Sequence, residues 1–127
     1  MDTWRALYLN ETIVTFRQYE RWANDALGQL TDDQAFFHAL GPRSHSVAVT
    51  VKHVAGNLRS RWKHFLTEDG EKPDRHRDQE FLILPQDSRS ALMAAWTHSW
   101  EILFDELGKL QPTDLEKTIT IRTEPLS

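Results

Sequence analysis

The residues best suited to chemistry lie in the stretch VKHVAGNLRSRW, residues 51–62. An imidazole such as that of His53 can ligate a divalent ion or carry a proton near neutral pH. Asn57, one helical turn further on, has the reach to hold a water or orient such a ligand. Arg61 can grip an anionic group, and Trp62 can wall a pocket beside it. A second imidazole within reach of the same ion is not provided by His64. It lies eleven residues after His53, about 16 Å along a helix axis, whereas metal to imidazole distances are about 2 Å. His98, Glu101 and Asp105 share one face further along, a spacing open to a carboxylate–histidine site. A solvated face of charges is the commoner meaning of that pattern. Each of the first four residues also has a plain structural reading. A helix-edge histidine is more often hydrogen-bonded than ligating, and an arginine on a bundle face usually pairs with a carboxylate, here Glu68 or Asp69 across a loop.

The elements that must position these groups are helical. Apolar residues from Trp4 to Leu30 recur at intervals of three, four and seven, which predicts one long amphipathic helix over residues 3–30. TDDQ, residues 31–34, has the form of a capping box and predicts a short helical turn through Phe36 and Phe37. GPRSHS then breaks the chain, and Ser44 or Ser46 can cap a second long helix over residues 47–66. On that helix Lys52, Arg59 and Lys63 align and are expected to face water. The opposite side, centred on Thr50, Val54, Arg61 and Phe65, is expected to face inward, with His53, Asn57 and His64 along one edge of it. TEDGEKPDRHRDQEF is a loop, with six carboxylates and three basic residues between Glu68 and Glu80, either a lid over a site or a solvated connector. Asp87 or Ser88 can cap a third helix over residues 89–110, whose stripe runs through Leu92, Trp96, Ser99, Leu103 and Leu107. After it the period changes to two, and Ile119 and Ile121 mark an extended segment. The fold class is therefore all-α, an up-and-down antiparallel bundle in a single domain over residues 1–127.

Composition narrows the partners. With 15 basic and 19 acidic residues the net charge is -4, which gives no electrostatic reason to expect nucleic acid or an anionic membrane surface. Cysteine is absent, so disulfides, thiolate catalysis and zinc-thiolate sites are excluded. No apolar run approaches the roughly 18 residues of a membrane span, and no signal peptide is evident. A soluble, cytoplasmic protein is expected.

The segment SVAVTVKHVAGNLRSRWKHFLTEDGEKPDRHRDQEF, with the long first helix before it and TDLEKTITIRTEPLS behind it, resembles the DinB-like superfamily and within it a bacterial group of unassigned function. The resemblance implies a four-helix bundle, commonly dimeric. It also implies a nickel, zinc or similar divalent ion held by one histidine of the second helix and by an HxxxH pair on the last. Some such proteins are thiol transferases or glutathione-dependent isomerases, so a small-molecule or thiol substrate comes with the likeness. His53 matches the second-helix ligand. No HxxxH occurs in these residues, and the superfamily's last helix would begin just after TEPLS, where Pro125 and Ser127 resemble helix start signals. The chain is thus expected to present three long helices with the fourth missing, to bind no metal tightly by itself, and to cover its open apolar groove as a homodimer. Two functions follow as alternatives: a divalent-metal-dependent enzyme of thiol transferase or hydrolase type, or a non-catalytic helical module that binds a small ligand or dimerises.

Overall fold

In a computed structural model, which describes residues 3–126, the chain forms an all-α bundle. Its four helices are α1 (Thr3–Gly28), α2 (Asp33–Phe37), α3 (Val47–Trp62) and α4 (Arg89–Lys109). Side chains close their N-termini as the sequence suggests, with one shift of position. Ser46 accepts from the Val49 amide and Ser88 from the Ala91 amide. The cap of α2 is Asp32, accepting from Ala35, rather than Thr31, because a carboxylate is at least as good an acceptor for a free N–H as a hydroxyl. Helix α3 stops four residues before the expected Leu66. His64, with φ of 52°, turns the chain out of the helix, and the Lys63 amide bonds back to Arg59.

The core lies chiefly between α3 and α4. Val51, Ala55 and Leu58 of α3 are buried, as are Leu92, Trp96, Trp100, Leu103, Phe104 and Leu107 of α4, with Phe36 of α2 beneath them. Helix α1 contributes a thinner layer. Ile13, Phe16, Ala23 and Leu27 pack against the core while only partly buried, and Leu9 is the one fully buried residue of the helix. Polar contacts supplement this attachment. Asn24 accepts from the Trp96 indole at 2.8 Å, Arg17 lies 3.6 Å from the centre of the Phe104 ring, and Arg5 pairs with Glu116. The outer side of α1 shows Trp4, Leu7, Tyr8, Val14, Tyr19 and Trp22, all more than half exposed. Among the described residues no helix is long and apolar enough to cross a membrane.

Beyond α4 a 3-10 turn over Pro112–Glu116 leads to strand β1 (Ile119–Ile121), which pairs antiparallel with β2 (Glu124–Leu126). The alternation of Ile119 and Ile121 does mark a strand. Pro125, expected to open a helix, instead sits in β2 opposite Thr120; its fixed φ suits an edge strand, where a missing N–H costs no ladder bond. Ser127 lies outside the described residues. The two-residue turn between the strands has positive φ at both Arg122 (54°) and Thr123 (65°), the geometry that twists a tight hairpin correctly but normally calls on Asn and Gly. Asp69 supplies what those residue types would have eased. Its carboxylate accepts from the amides of Arg122 at 2.8 Å and Thr123 at 2.7 Å, while the Gly70 amide donates to Thr120. Gly70 has no room for a side chain, since a Cβ there would lie 2.9 Å from Ile121 Cγ1.

The Glu71, Thr123 and Arg122 amides hold the Asp69 carboxyl below its ordinary pKa. A depressed folded-state pKa stabilises above the unfolded value, about 3.9 for aspartate, and that stabilisation is lost as pH falls through the folded value. The hairpin should therefore be intact at neutral pH and loosen on strong acidification. In an NMR pH titration the Arg122 and Thr123 amide resonances should move together, and Asp69→Ala should produce the loosened shifts already at pH 7. Unchanged shifts in the variant would show that Asp69 does not hold the turn.

Candidate functional site

One side of α3 faces the core, and the other is covered by the long loop of residues 63–88. Almost every polar residue on the covered side grips that loop. Lys52 Nζ donates to the Leu82 carbonyl at 3.0 Å and to Asp87 Oδ2 at 2.6 Å. Ser60, fully buried, donates to the Gly70 carbonyl at 2.6 Å and accepts from the Lys72 amide at 3.0 Å. Lys72 is itself buried, and its ammonium donates to the carbonyls of Ser60 and Asp69; burial pushes its pKa below the ordinary lysine value. Arg61 donates to the Gly70 carbonyl at 2.7 Å and to Glu71 at 2.9 Å, and this pairing holds the Glu71 carboxyl low.

At the centre of the covered side Glu80, from a 3-10 turn over Arg77–Phe81, lies against the backbone of α3. Arg75 donates to it twice, Nε to Oε2 and Nη2 to Oε1, both at 2.9 Å. His53 Nδ1 stands 2.9 Å from Oε1. Glu80 and Arg75 are 6% and 8% exposed, so each charge depends on the other for neutralisation. Gly56 makes the approach possible. A Cβ at that position would lie 1.9 Å from Glu80 Oε2. The helical glycine therefore serves a close contact between a helix and a buried carboxylate.

This arrangement corrects part of the expected orientation of α3, although Val54 packs against the core and Lys63 is exposed as expected. Thr50, assigned to the inward side, is exposed, while Lys52 and Arg59, assigned to water, are half-buried. The physical reason is the loop: its carboxylates and carbonyls offer partners that let cations be covered. The predicted site residues are dispersed by it. His53 is half-buried under the loop, with Phe81 stacked on its ring at 5.2 Å. Asn57 is half-buried and makes no side-chain hydrogen bond among the described residues. Arg61 serves the Gly70–Glu71 corner, pairing with Glu71 rather than with Glu68 or Asp69. Trp62 points elsewhere, meeting Phe16 and Phe65 edge-on at 6.2 and 5.1 Å. His98 and Glu101 form an exposed pair at 3.7 Å, in keeping with a solvated face.

A divalent ion would need two further donors beside His53. Both oxygens of the nearest carboxylate, Glu80, are already held by Arg75, and among the described residues no three histidine or carboxylate groups converge in a way that could hold an ion. The donor set around His53 does not fit a resident metal. What lies on the other side of Glu80 and Arg75 is a cleft of about 360 Å³ between α3, α4 and the loop. Ala55, Gly56, Leu92 and Ala95 supply small or apolar lining, and Lys52, Arg59, His76, Gln79, His98 and Ser99 bring polar groups to it. Sequence reasoning missed Arg75, Glu80 and Arg59 as parts of one site. The available signal was Gly56 itself, a glycine in the interior of a helix, where it costs stability unless a close contact needs it.

Residues 4–127 match the family described as Protein of unknown function (DUF1572). The chain belongs to this family. No curated protein and no solved structure matches it. The DUF1572 match runs from α1 through β2 and so takes in the bundle, the loop with its clamps, and the hairpin.

Two substitutions test the centre of the network. In Gly56→Ala the new methyl must expel a carboxylate held by three bonds, and the loss is expected to be about 2–4 kcal/mol, a broken buried pair (about 3–5 kcal/mol) offset by roughly 1 kcal/mol of helix propensity. Glu80→Gln should cost a similar amount by leaving Arg75 buried without its counter-charge, whereas His53→Ala should cost less. Urea denaturation would measure all three, and a neutral or stabilising Gly56→Ala would contradict the tight packing.

Proposed function

We propose that this DUF1572 protein is a small-molecule-binding helical module whose site is the cleft between α3, α4 and the loop, and that the ligand carries a carboxylate. One observation carries the reading. Of the cations that line the cleft, Lys52 is held by Asp87 and Arg75 by the buried Glu80, whereas the only side-chain partner of Arg59 among the described residues is Asp74, a 72% exposed carboxylate held at 3.1–3.3 Å. A ligand carboxylate can displace so exposed a partner at little cost, because surface ion pairs contribute about 0–1 kcal/mol. The volume falls in the usual range for small-molecule clefts, roughly 300–1,000 Å³. The likeness to DinB-like bundles supports a small-molecule role in the cytoplasm. It also supplies the alternative, a metal-dependent thiol transferase or hydrolase with His53 as one ligand. The single feature in favour of that alternative is the Glu80 contact at Nδ1, which fixes the imidazole as carboxylates do for ligating histidines. A donor set already occupied by Arg75 argues against it.

Titration of the purified protein with a panel of small mono- and dicarboxylates should shift the amide resonances of Ala55, Gly56, Ala95 and Ser99 in a saturable way. Arg59→Gln, on a half-buried position away from the Glu80 network, should weaken binding at least tenfold with the fold intact. Shifts that are absent, or indifferent to Arg59→Gln, would remove the proposal.

The outer face of α1 supports a homodimer as the working form. Six large apolar side chains lie on one helix side, and along its centre Trp4, Tyr8 and Trp22 alternate by four and three with the polar Glu11, Thr15 and Gln18. Antiparallel pairing of two copies brings Trp4 opposite Trp22, and Tyr8 opposite Gln18, about a two-fold axis. Light scattering at micromolar concentration should give twice the chain mass, and Tyr19→Glu with Trp22→Glu should give the single mass. A monomeric wild type would rule the dimer out.

A further inference from the structure

A second cavity, sharing no lining residue with the cleft, lies where α1, the C-terminal ends of α3 and α4, and the hairpin meet. Its volume is about 250 Å³, and its walls include Leu9, Trp62, Phe65, Leu107, Leu115 and Ile119. Leu107 and Leu9 at its base are 3% and 7% exposed. A cavity of roughly 150 Å³ with such walls already admits a benzene-sized molecule, so this one can hold a substantial hydrocarbon body. The polar groups on its lining are few. Thr12 spends its hydroxyl proton on the Tyr8 carbonyl. Asp114 is occupied by the Gln111 amide and by Lys117 Nζ at 2.6 Å.

Lys117 is the distinctive member. Its side chain is 58% exposed and reaches the cavity rim. The contact with Asp114 uses one of the three ammonium donors, which leaves the others for a second acceptor. An apolar chamber with a cation at its mouth is complementary to an unbranched amphipathic anion, chain inward and head outward. The wall contributed by β1 and β2 is fixed by Asp69, which secures the hairpin turn, so the chamber is bounded by structure that is held in place independently of any ligand.

We infer that this cavity is a binding site for a medium-chain alkanoate or a comparable acyl group, with the carboxylate on Lys117 and the chain against Leu107, Leu115 and Ile119. Calorimetry with hexanoate, octanoate and decanoate, each below its micelle-forming concentration, provides the test. Affinity should rise with each added pair of methylenes, and decylamine should bind at least tenfold more weakly than decanoate. Lys117→Gln, which removes the cation but can still donate to Asp114, should weaken decanoate at least tenfold, and Leu115→Trp, which fills the chamber, should abolish it. Methyl NMR with decanoate should move Leu107, Leu115 and Ile119. The inference is overturned if decanoate fails to bind, if Lys117→Gln leaves binding unchanged, or if the shifts fall on the outer face of α1 around Tyr19 and Trp22, which would mean adsorption to that stripe. A dimer in which decanoate binds only after dissociation would overturn it as well, because the partner copy would then be the occupant.

Discussion

The Glu80 carboxylate, buried against the backbone of α3 and shared by Arg75 and His53, is the contact on which the arrangement of the loop depends. A buried charge pair gains little stability over an apolar pair of the same volume, because desolvation offsets much of the attraction. What it fixes is position. Two parallel bonds from Arg75 determine the orientation of the carboxylate, and the missing Cβ of Gly56 determines how near the helix it can lie. From that point the chain must run over α3 within reach of Lys52 on one side and of Ser60 and Arg61 on the other. The cleft beside α4 exists because the loop is held at this height and does not collapse onto Ala55 and Ala95.

The two faces of α3 obey different physics. Toward α4 the contact is apolar and tolerant, a matter of volume and burial. Toward the loop it is polar and geometric, and each donor has a specific acceptor, many of them main-chain carbonyls. Main-chain acceptors do not depend on the identity of the loop residue that carries them. This explains how a segment so poor in apolar residues remains tightly applied to the bundle.

The three long helices were legible from periodicity because burial of one stripe imposes it, and each cap was legible to within two candidates, Ser44 or Ser46 and Asp87 or Ser88, because few residue types can do that work. The side of α3 that faces the loop was misjudged for a physical reason. Aligned lysine and arginine residues signify solvent only when no acceptors lie opposite, and the acceptors here come from residues 15 to 35 positions away. His53 and Arg61 were singled out for chemistry by residue type. The structure shows both engaged by carboxylates of the loop, and neither periodicity nor spacing could reveal that. Gly56 carried the clearest unused signal. The hairpin turn had none, because Arg122 and Thr123 are ordinary in that position only through the distant Asp69.

Helix α1 buries a single side chain completely, while α3 and α4 bury thirteen between them. Such an imbalance gives the molecule two tiers of cooperativity. Release of α1 sacrifices a partly covered layer and a few polar ties, whereas separation of α3 from α4 dismantles the core, so the first opening lies well below global unfolding on the free-energy scale. In the opened state the indole of Trp96 loses its acceptor on Asn24, and apolar surface of α4 meets solvent. Proteolytic susceptibility and the tendency to aggregate are then set by how often one helix lifts away, more than by the strength of the core it leaves behind.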